Sequence, residues 1–563
     1  MLFGRNFIGF ATGLKQVWES PSSHPISSAL KSDLVNTDQQ PVKSPPSTGM
    51  LTYKNDNLRS GQNDAETILN THNVNASQFG KLASYPVDAR VYAQPLFVPH
   101  LTINGMQHNV VFVATENDSV YAFDADQTTS TQPLWHTHLL PSGETPLSSN
   151  DAYCSDIGGK VIGITGTPVI DAKTQTLYVV GASKKGKTLF SRLYALNITT
   201  GKQKPHSPAN ITASLPGNGP GSAHGQIAFN PKRENQRAAL LLSQGVVYIA
   251  WGSFCDNPHY YGWLMGYNAS TLKQTAIYNP EQDNGQGGIW QSGAGLAADN
   301  QGNIYLITGE GDFDLNTGGP HAGDSVLKLS TQHGLHVIDS FTPFNQVCMN
   351  WFNQDFGSGG PLLLPNASEV IAGGKEGRIY VLNRFHLGGY TSIPGACDHL
   401  SQTNVDTVVQ ELPANTAAGG IWGSPAYWHS AHGDFVYVSG SQDPYVKAFA
   451  LTNGRLSDQP SSESTLQESK DLQPLHISGN PVVSCNGTQP GTGIVWLIDR
   501  SQGILRAYDA SNLADQLYAS NQNPSRDGIG QQHVIKFSVP TVYDGKVFVG
   551  TDNSLLVYGL LNP

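Results

Sequence analysis

An all-β chain folded as an eight-bladed β-propeller is predicted by three observations. One hairpin pattern recurs along the sequence, the composition suits short strands with tight turns, and no single unit can bury both of its faces. The stretch Asn109 to Asp126, NVVFVATENDSVYAFDAD, shows the pattern: Val111 and Val113 alternate with Phe112 and Ala114, and Glu116-Asn117-Asp118 make the turn. Val120, Tyr121, Ala122 and Phe123 then lead back. Period-two apolar runs joined by an Asn/Asp/Ser turn read as a β-hairpin, which is marginal in water until neighbours cover it. With 60 Gly, 34 Pro and 13% charged residues in a chain of 563, strands and turns are favoured over helices.

Each unit opens with a short strand marked by Pro or Gly. The openings are AQPLF at Ala93, TGTPVI at Thr165, AALLLSQ at Ala238 and QSGAGLA at Gln291. They continue with SGGPLLL at Ser358, GSPAYW at Gly423, SGNPVVS at Ser478 and SVPTVY at Ser538. A hairpin follows each, from LYVV with RLYALN (Leu177, Arg192) through IYLIT with SVLKLS (Ile304, Ser325) to KVFVGT with LLVYGL (Lys546, Leu555). This gives eight units spaced roughly 40 to 70 residues apart, the period of propeller blades. Seven blades is the alternative, because the third opening, at Ala238, lacks its Pro. The chain ends almost at its last strand, so the segment Leu51 to Val91 is expected to supply the outer strand that completes the final blade.

Residues 50–563 read as the propeller and 1–49 as a disordered leader and linker, since Ser20 to Ser47 is rich in Ser, Pro, Asp and Lys. Met1 to Trp18 makes a poor secretory signal. The five cysteines, at 154, 255, 348, 397 and 485, are scattered without CxxC or CxxCH, which excludes haem c and a compact zinc site. The odd count leaves at least one thiol unpaired; one or two disulfides between neighbouring units and inert buried thiols are both open. A net charge of -11 gives no basic footprint, so no nucleic-acid partner is expected. No apolar run is long enough for a transmembrane helix. There is no G-x-S-x-G elbow and no H-E-x-x-H, and the glycines at Gly309 and Gly311 follow a strand without opening a helix.

The hairpin ending AxDxxTG, seen as AFDAD at Ala122, ALNITTG at Ala195 and AYDAS at Ala507, resembles the repeats of quinoprotein alcohol dehydrogenases. The resemblance covers about Leu51 to Asn562 and implies an eight-bladed, extracytoplasmic, monomeric propeller with pyrroloquinoline quinone (PQQ) and Ca2+ on its axis. GGKEGRIYVLNR at Gly373 is similar to the family segment whose basic residue sits against the quinone, which makes Lys375 that residue. TGEG at Thr308 and AGDSVLKL at Ala322 resemble the pair that supplies a Ca2+ ligand and the catalytic base, here Glu310 and Asp324. GGIWQSG at Gly287 and GGIWGSPAY at Gly419 resemble the segments that supply Trp against the quinone, here Trp290 and Trp422. Asp256, ahead of YYGWLMGYNAST, is the acidic match to a further metal ligand. The chain departs from the family in lacking a vicinal Cys pair, in carrying Glu310 for Asn and Asp256 for Glu, and in keeping few of the blade-docking Trp residues, with Trp135 as one counterpart.

The chemistry fits those residue types. A base must take the alcohol proton while hydride leaves, a cation must polarise the accepting carbonyl, and Ca2+ wants six to eight oxygens. Plain structural roles stand beside each: turn acids for Glu310 and Asp324, a solvated turn for Lys375, inter-blade packing for Trp290 and Trp422. His224 and His321 lack a second His at metal spacing. Two functions follow, a PQQ-dependent dehydrogenase of an alcohol or sugar, and a non-catalytic propeller that presents loops to a protein or glycan partner. The polar stretches Thr200–Gly221, Asp398–Ala418 and Ser457–Asp471 are the loops such a partner would meet.

Overall fold

The computed structural model describes residues 49–155, 157, 159–464 and 479–561. Of the expected leader only Gly49 falls among them, and the stretch Ser457–Asp471 leaves them after residue 464. The described residues form eight blades, antiparallel except where Gln62–Asn63 and Gly389–Tyr390 add parallel edge strands to the seventh and fourth of them in chain order, with a small two-stranded sheet of Ser214–Pro216 and Gln226–Ala228 as well. The blade openings read from the sequence become the innermost strands. These are Leu96–Ile103, Val169–Asp171, Leu241–Ser243, Ala297–Ala298, Leu362–Leu363, Ala426–Ser430, Val482–Ser484 and Thr541–Tyr543. We number the blades 1 to 8 in that order. Blade 3, whose opening lacks Pro, is complete, with Val246–Ser253, Trp263–Asn268 and Gln274–Tyr278 following its inner strand.

Period-two alternation explains why the blades form a ring. Val110, Phe112 and Ala114 of blade 1 pack with Ile170, Leu177 and Val179 of blade 2, while Val111 and Val113 turn the other way onto Phe548 and Val557 of blade 8. Six more apolar clusters join blades 2 to 8 in sequence, so that each blade is covered on both sides. At roughly 25 cal/mol per Å2 of apolar surface removed from water, this mutual coverage is the main stabilising term. Trp135 docks blade 1 on blade 2 by donating its indole N–H to the carbonyl of Ile198 at 2.9 Å.

Closure takes two segments from the start of the described chain. Phe79–Pro86 pairs antiparallel with Ser554–Leu560 and forms the outer strand of blade 8, as expected. The earlier part of Leu51 to Val91 does something the sequence reading did not foresee: it laces the inner edges of all the blades in ring order. The amides of Phe97 (blade 1) and Ile170 (blade 2) donate to the carbonyls of Met50 and Leu51. Asn57 donates its side-chain amide to Leu242 of blade 3 and accepts from Ala298 of blade 4. Leu58, Ser60 and Gly61 accept from Leu363, Tyr427 and Val483 of blades 5, 6 and 7, and Asn63 donates to Val542 of blade 8.

Two buried cations hold this segment in place. Lys54 donates to the carbonyls of Ser424 (2.9 Å), Pro425 (3.2 Å) and Pro481 (2.5 Å), and burial drives its pKa well below the usual lysine value. Arg59 donates to Leu296 (2.7 Å) and Leu240 (3.3 Å) across blades 4 and 3, and back to Thr52 and Tyr53 of its own segment.

The polar stretches expected to be free loops also contribute structure. Ala209–Asn210, Gln410–Leu412 and Ser462–Glu463 are outer strands of blades 2, 5 and 6. Outer edges are short and polar, which blunts further strand pairing and hides them from a search for apolar alternation. Disulfides Cys154–Cys255 and Cys348–Cys397 staple loops, and Cys485 is a buried free thiol. Replacing Arg59 by Met should leave the buried carbonyls of Leu240 and Leu296 unpaired and cost about 3 kcal/mol. A thermal or denaturant midpoint equal to that of the parent would show that the lacing segment does not hold the ring.

Candidate active site

The candidate residues come from equivalent places in neighbouring blades. Asp256, Glu310 with Asp324, and Lys375 all lie in the connection between the second and third strands, of blades 3, 4 and 5 respectively. Those connections share one rim. Trp290 and Trp422 lie in the crossovers that precede the inner strands of blades 4 and 6.

Asp355, in the crossover between blades 4 and 5, ties the group together. Lys375 Nζ donates to Asp355 Oδ1 at 2.8 Å and to Asn353 Oδ1 at 2.6 Å, and the Lys375 amide donates to the Asp355 carbonyl. Trp290 and Trp422 meet edge to face with centroids 5.6 Å apart, and Lys375 Nζ lies 6.0 Å and 5.4 Å from them. Both rings and Lys375 are half-buried, so they can reach a ligand, and the carboxyl of Asp355 beside Lys375 keeps a side-chain exposure of 7%. Trp422 stacks on Phe537 at 6.3 Å, and the Arg237 guanidinium covers Phe537 at 4.3 Å. Phe537 and Arg237 also line a cavity with Tyr53, Tyr92, Gln94 and Thr165, of about 10 Å3, room for one water.

The loops come close enough that glycine is required at Gly357. A Cβ there would stand 2.5 Å from the Gly309 amide nitrogen. This contact sets the Asp355 crossover against the Glu310 turn.

Electrostatics are dominated by buried carboxyls crowded together. Glu310 is buried and accepts from the Tyr260 hydroxyl at 3.4 Å. Burial first, then the neighbouring Asp355 and Asp256, push its pKa up to about 9. Asp324 is fully buried, with Oδ1 accepting from the Phe356 amide at 2.9 Å and Oδ2 without a hydrogen-bonding partner among the described residues. Burial, then Asp355, raise its pKa well above the usual carboxylate value. Asp256 is exposed at the edge of the group, accepting from Ser253 Oγ at 2.6 Å. His321 stands apart, with Nδ1 3.1 Å from Glu281 Oε2, and His224 is exposed.

Five of the six candidate residues therefore meet around Asp355, and Asp256 reaches the group through its charge. Sequence reasoning missed Asp355, Asn353, Tyr260 and Arg237. A register signal was present for two of them. Trp422 precedes Pro425 by three residues, as Tyr92 precedes Pro95 and Phe537 precedes Pro540, and Arg237 holds that slot ahead of Leu240. Asp355 stands six residues before Pro361, as Trp290 stands six before Leu296.

The cofactors implied by the repeats can be tested against these groups. Among the described residues no three acidic, His or Cys side chains converge as a set able to hold a metal ion. The donor set does not fit Ca2+. Two half-buried indoles beside an ammonium do fit a flat, electron-poor ring such as PQQ.

The Glu310 carboxyl gives a signed expectation. Its folded-state pKa lies above the unfolded value, so the folded chain holds the proton more tightly and loses stability as pH rises from about 4.5 to about 9. Glu310→Gln does not titrate. Its melting temperature, taken relative to the parent, should therefore climb between pH 5 and pH 9, and a flat or falling difference would contradict the buried neutral carboxyl.

No family model and no curated protein matches the chain in sequence. Solved structures match in shape. The quinohemoprotein alcohol dehydrogenase from Comamonas testosteroni superposes with a TM-score of 0.60 at 14% identity, over 92% of this chain and 81% of that one. The quinohemoprotein alcohol dehydrogenase from Pseudomonas putida HK5 gives 0.59 at 14% identity, over 91% and 80%. A europium-containing methanol dehydrogenase gives 0.54 at 13% identity, over 92% and 99%. The chain thus has the eight-bladed propeller fold of the quinohemoprotein alcohol and methanol dehydrogenases, the fold its repeats implied.

Proposed function

We propose that the protein is a quinoprotein-type oxidoreductase that oxidises the hydroxyl of an alcohol or sugar at the rim of its propeller. The observation that carries this reading is the meeting of Lys375, Asp355 and Glu310 beside the half-buried rings of Trp290 and Trp422. In this reading Trp290, Trp422 and Lys375 would hold PQQ, the indoles by ring contact and the lysine by its charge. When bound, PQQ supplies the two-electron acceptor that takes hydride from the carbinol carbon.

The remaining work falls to the chain's own groups. Asp355, paired with Lys375, is the carboxylate that accepts the hydroxyl proton. Glu310, kept neutral by burial, stays beside it as a hydrogen-bond donor and adds no second negative charge. The resemblance gives the base role to Asp324. Its buried carboxyl instead supports a positioning role, holding the Phe356 amide and through it Asp355. Two disulfides support an extracytoplasmic location, because such bonds persist in oxidising compartments.

Titration with PQQ should quench tryptophan fluorescence in the parent, with and without a calcium chelator, and Lys375→Ala should weaken that response. Absence of any response in the parent would remove the quinone and favour the non-catalytic reading. Asp355→Asn should lower turnover of the loaded protein about 10²- to 10⁴-fold with the fold intact. Asp324→Asn keeps the acceptor for the Phe356 amide and should retain most activity; the reverse ranking of the two variants would return the base role to Asp324.

A further inference from the structure

Among the glycines of this rim, Gly309 is one that neither backbone nor crowding requires. Its φ lies outside the left-handed region, and a Cβ there would meet its nearest neighbours at 3.4 to 3.7 Å, ordinary van der Waals contact. By contrast, a Cβ at Gly311 would stand 2.6 Å from Glu281 Oε1, and one at Gly374 would stand 2.6 Å from Phe356 Cα. The Gly309 amide donates to the Gly288 carbonyl at 2.9 Å, and its carbonyl accepts from the Asp324 amide at 2.8 Å. What glycine leaves at this position is a recess the size of a methyl group.

The walls of that recess are polar. Measured from the Cβ position, the nearest atoms are the Gly288 carbonyl oxygen and Trp290 Nε1 at 3.4 Å each and Asp355 Oδ2 at 3.7 Å. The Gly288 oxygen already accepts from Gly309, and the Trp422 indole N–H donates to the Gly419 carbonyl at 3.1 Å. The indole N–H of the half-buried Trp290 has no acceptor among the described residues. Asp355 Oδ1 takes the Lys375 ammonium, which leaves Oδ2 as the oxygen at the recess. Glu310 also hydrogen-bonds the Asp355 carboxyl, whose lone pairs suffice for a further donor. A donor and a charged acceptor around one small space call for a group that accepts and donates through a single atom. A hydroxyl does both, a carbonyl only accepts and an ammonium only donates. The face of an indole and its N–H edge are different surfaces, so a ring held on the face leaves the edge open.

We propose that Trp290 and Asp355 seat one neutral hydroxyl group over Gly309, the indole N–H donating to its oxygen and Asp355 Oδ2 accepting its O–H. This rests on the oxidoreductase reading above and deepens it. Asp355 Oδ2 becomes the atom that takes the hydroxyl proton, Trp290 the group that orients the hydroxyl, and Gly309 the residue that makes room for it.

The test follows the indole N–H resonances of the full chain, made with isotope-labelled tryptophan and kept free of cofactor. The Trp290 signal is the one missing from Trp290→Phe. Ethanol should shift it saturably, and acetone, which accepts but cannot donate, should bind there about tenfold more weakly. Gly309→Ala fills the recess with a methyl group at ordinary contact distance. It should keep the parent's melting temperature and PQQ-dependent quenching of fluorescence, and lose the ethanol shift. In loaded protein it should lower kcat/KM for ethanol about tenfold. A Trp290 signal indifferent to ethanol, one that answers acetone as strongly, or one equally responsive in parent and Gly309→Ala would overturn the seat. Should Gly309→Ala fail to fold, ethanol against acetone in the parent decides alone. Ethanol binding at Trp290 in a protein that never responds to PQQ would uphold the seat and sink only the quinone. Quenching by PQQ with no ethanol shift would sink the seat and leave the quinone standing.

Discussion

A four-stranded sheet with apolar residues on both faces has nowhere to put them unless another such sheet stands on each side. That requirement shapes the whole molecule. The residues of blade 1 divide by parity between blade 2 and blade 8, with a switch at the bulge between Val98 and Leu101, and the division between neighbours repeats until the eighth interface meets the first. The ring still leaves the inner edge of each blade with backbone groups to satisfy. Residues 50–63 answer that need by visiting every inner strand in order, with Arg59 and Lys54 tying carbonyls of adjacent blades. The positive charges are tolerated in the interior because each faces several oriented carbonyl dipoles.

Because packing between blades is independent of the loops, the loops of one rim are free to carry chemistry. Here they carry an arrangement that opposes stability. Glu310 and Asp324 are buried near Asp355, and among the described residues the Lys375 ammonium serves the cluster. Burial of carboxyls with so few partners is unfavourable, and the surrounding ring of sheets is rigid enough to keep them together. Other buried carboxyls with raised pKa, such as Asp118 and Glu234, lie outside this group, and what distinguishes the rim is the lysine and the two indoles that meet its acids.

Much of the architecture was legible because alternation and turn residues repeat: the eight openings, the hairpins and the closing strand all follow from them. The lacing segment was not legible. Residues such as Thr52, Lys54, Asp56 and Ser60 have no period and bury polar side chains, so composition assigns them to a loop. The outer strands at Gln410–Leu412 and Ser462–Glu463 escaped for a related reason, since edge strands are short and polar. At the site, Lys375, Trp290, Trp422, Glu310 and Asp324 were named through resemblance. Asp355 was not, because an acid in the loop NQDFGSGG carries no local mark and becomes visible only when blades are aligned on their inner strands.

The join between Phe79–Pro86 and Ser554–Leu560 has a bearing on biosynthesis. During translation the early β-segment emerges long before its mate, and until that mate appears it is an unpaired edge beside a half-built ring. Blades 1 to 7 can stack as they appear, in the manner of a solenoid, but the join must wait for Ser554–Leu560 to leave the ribosome. The nascent chain is therefore most open to misassociation just before Ser554–Leu560 emerges, when seven blades already exist and one seam is missing.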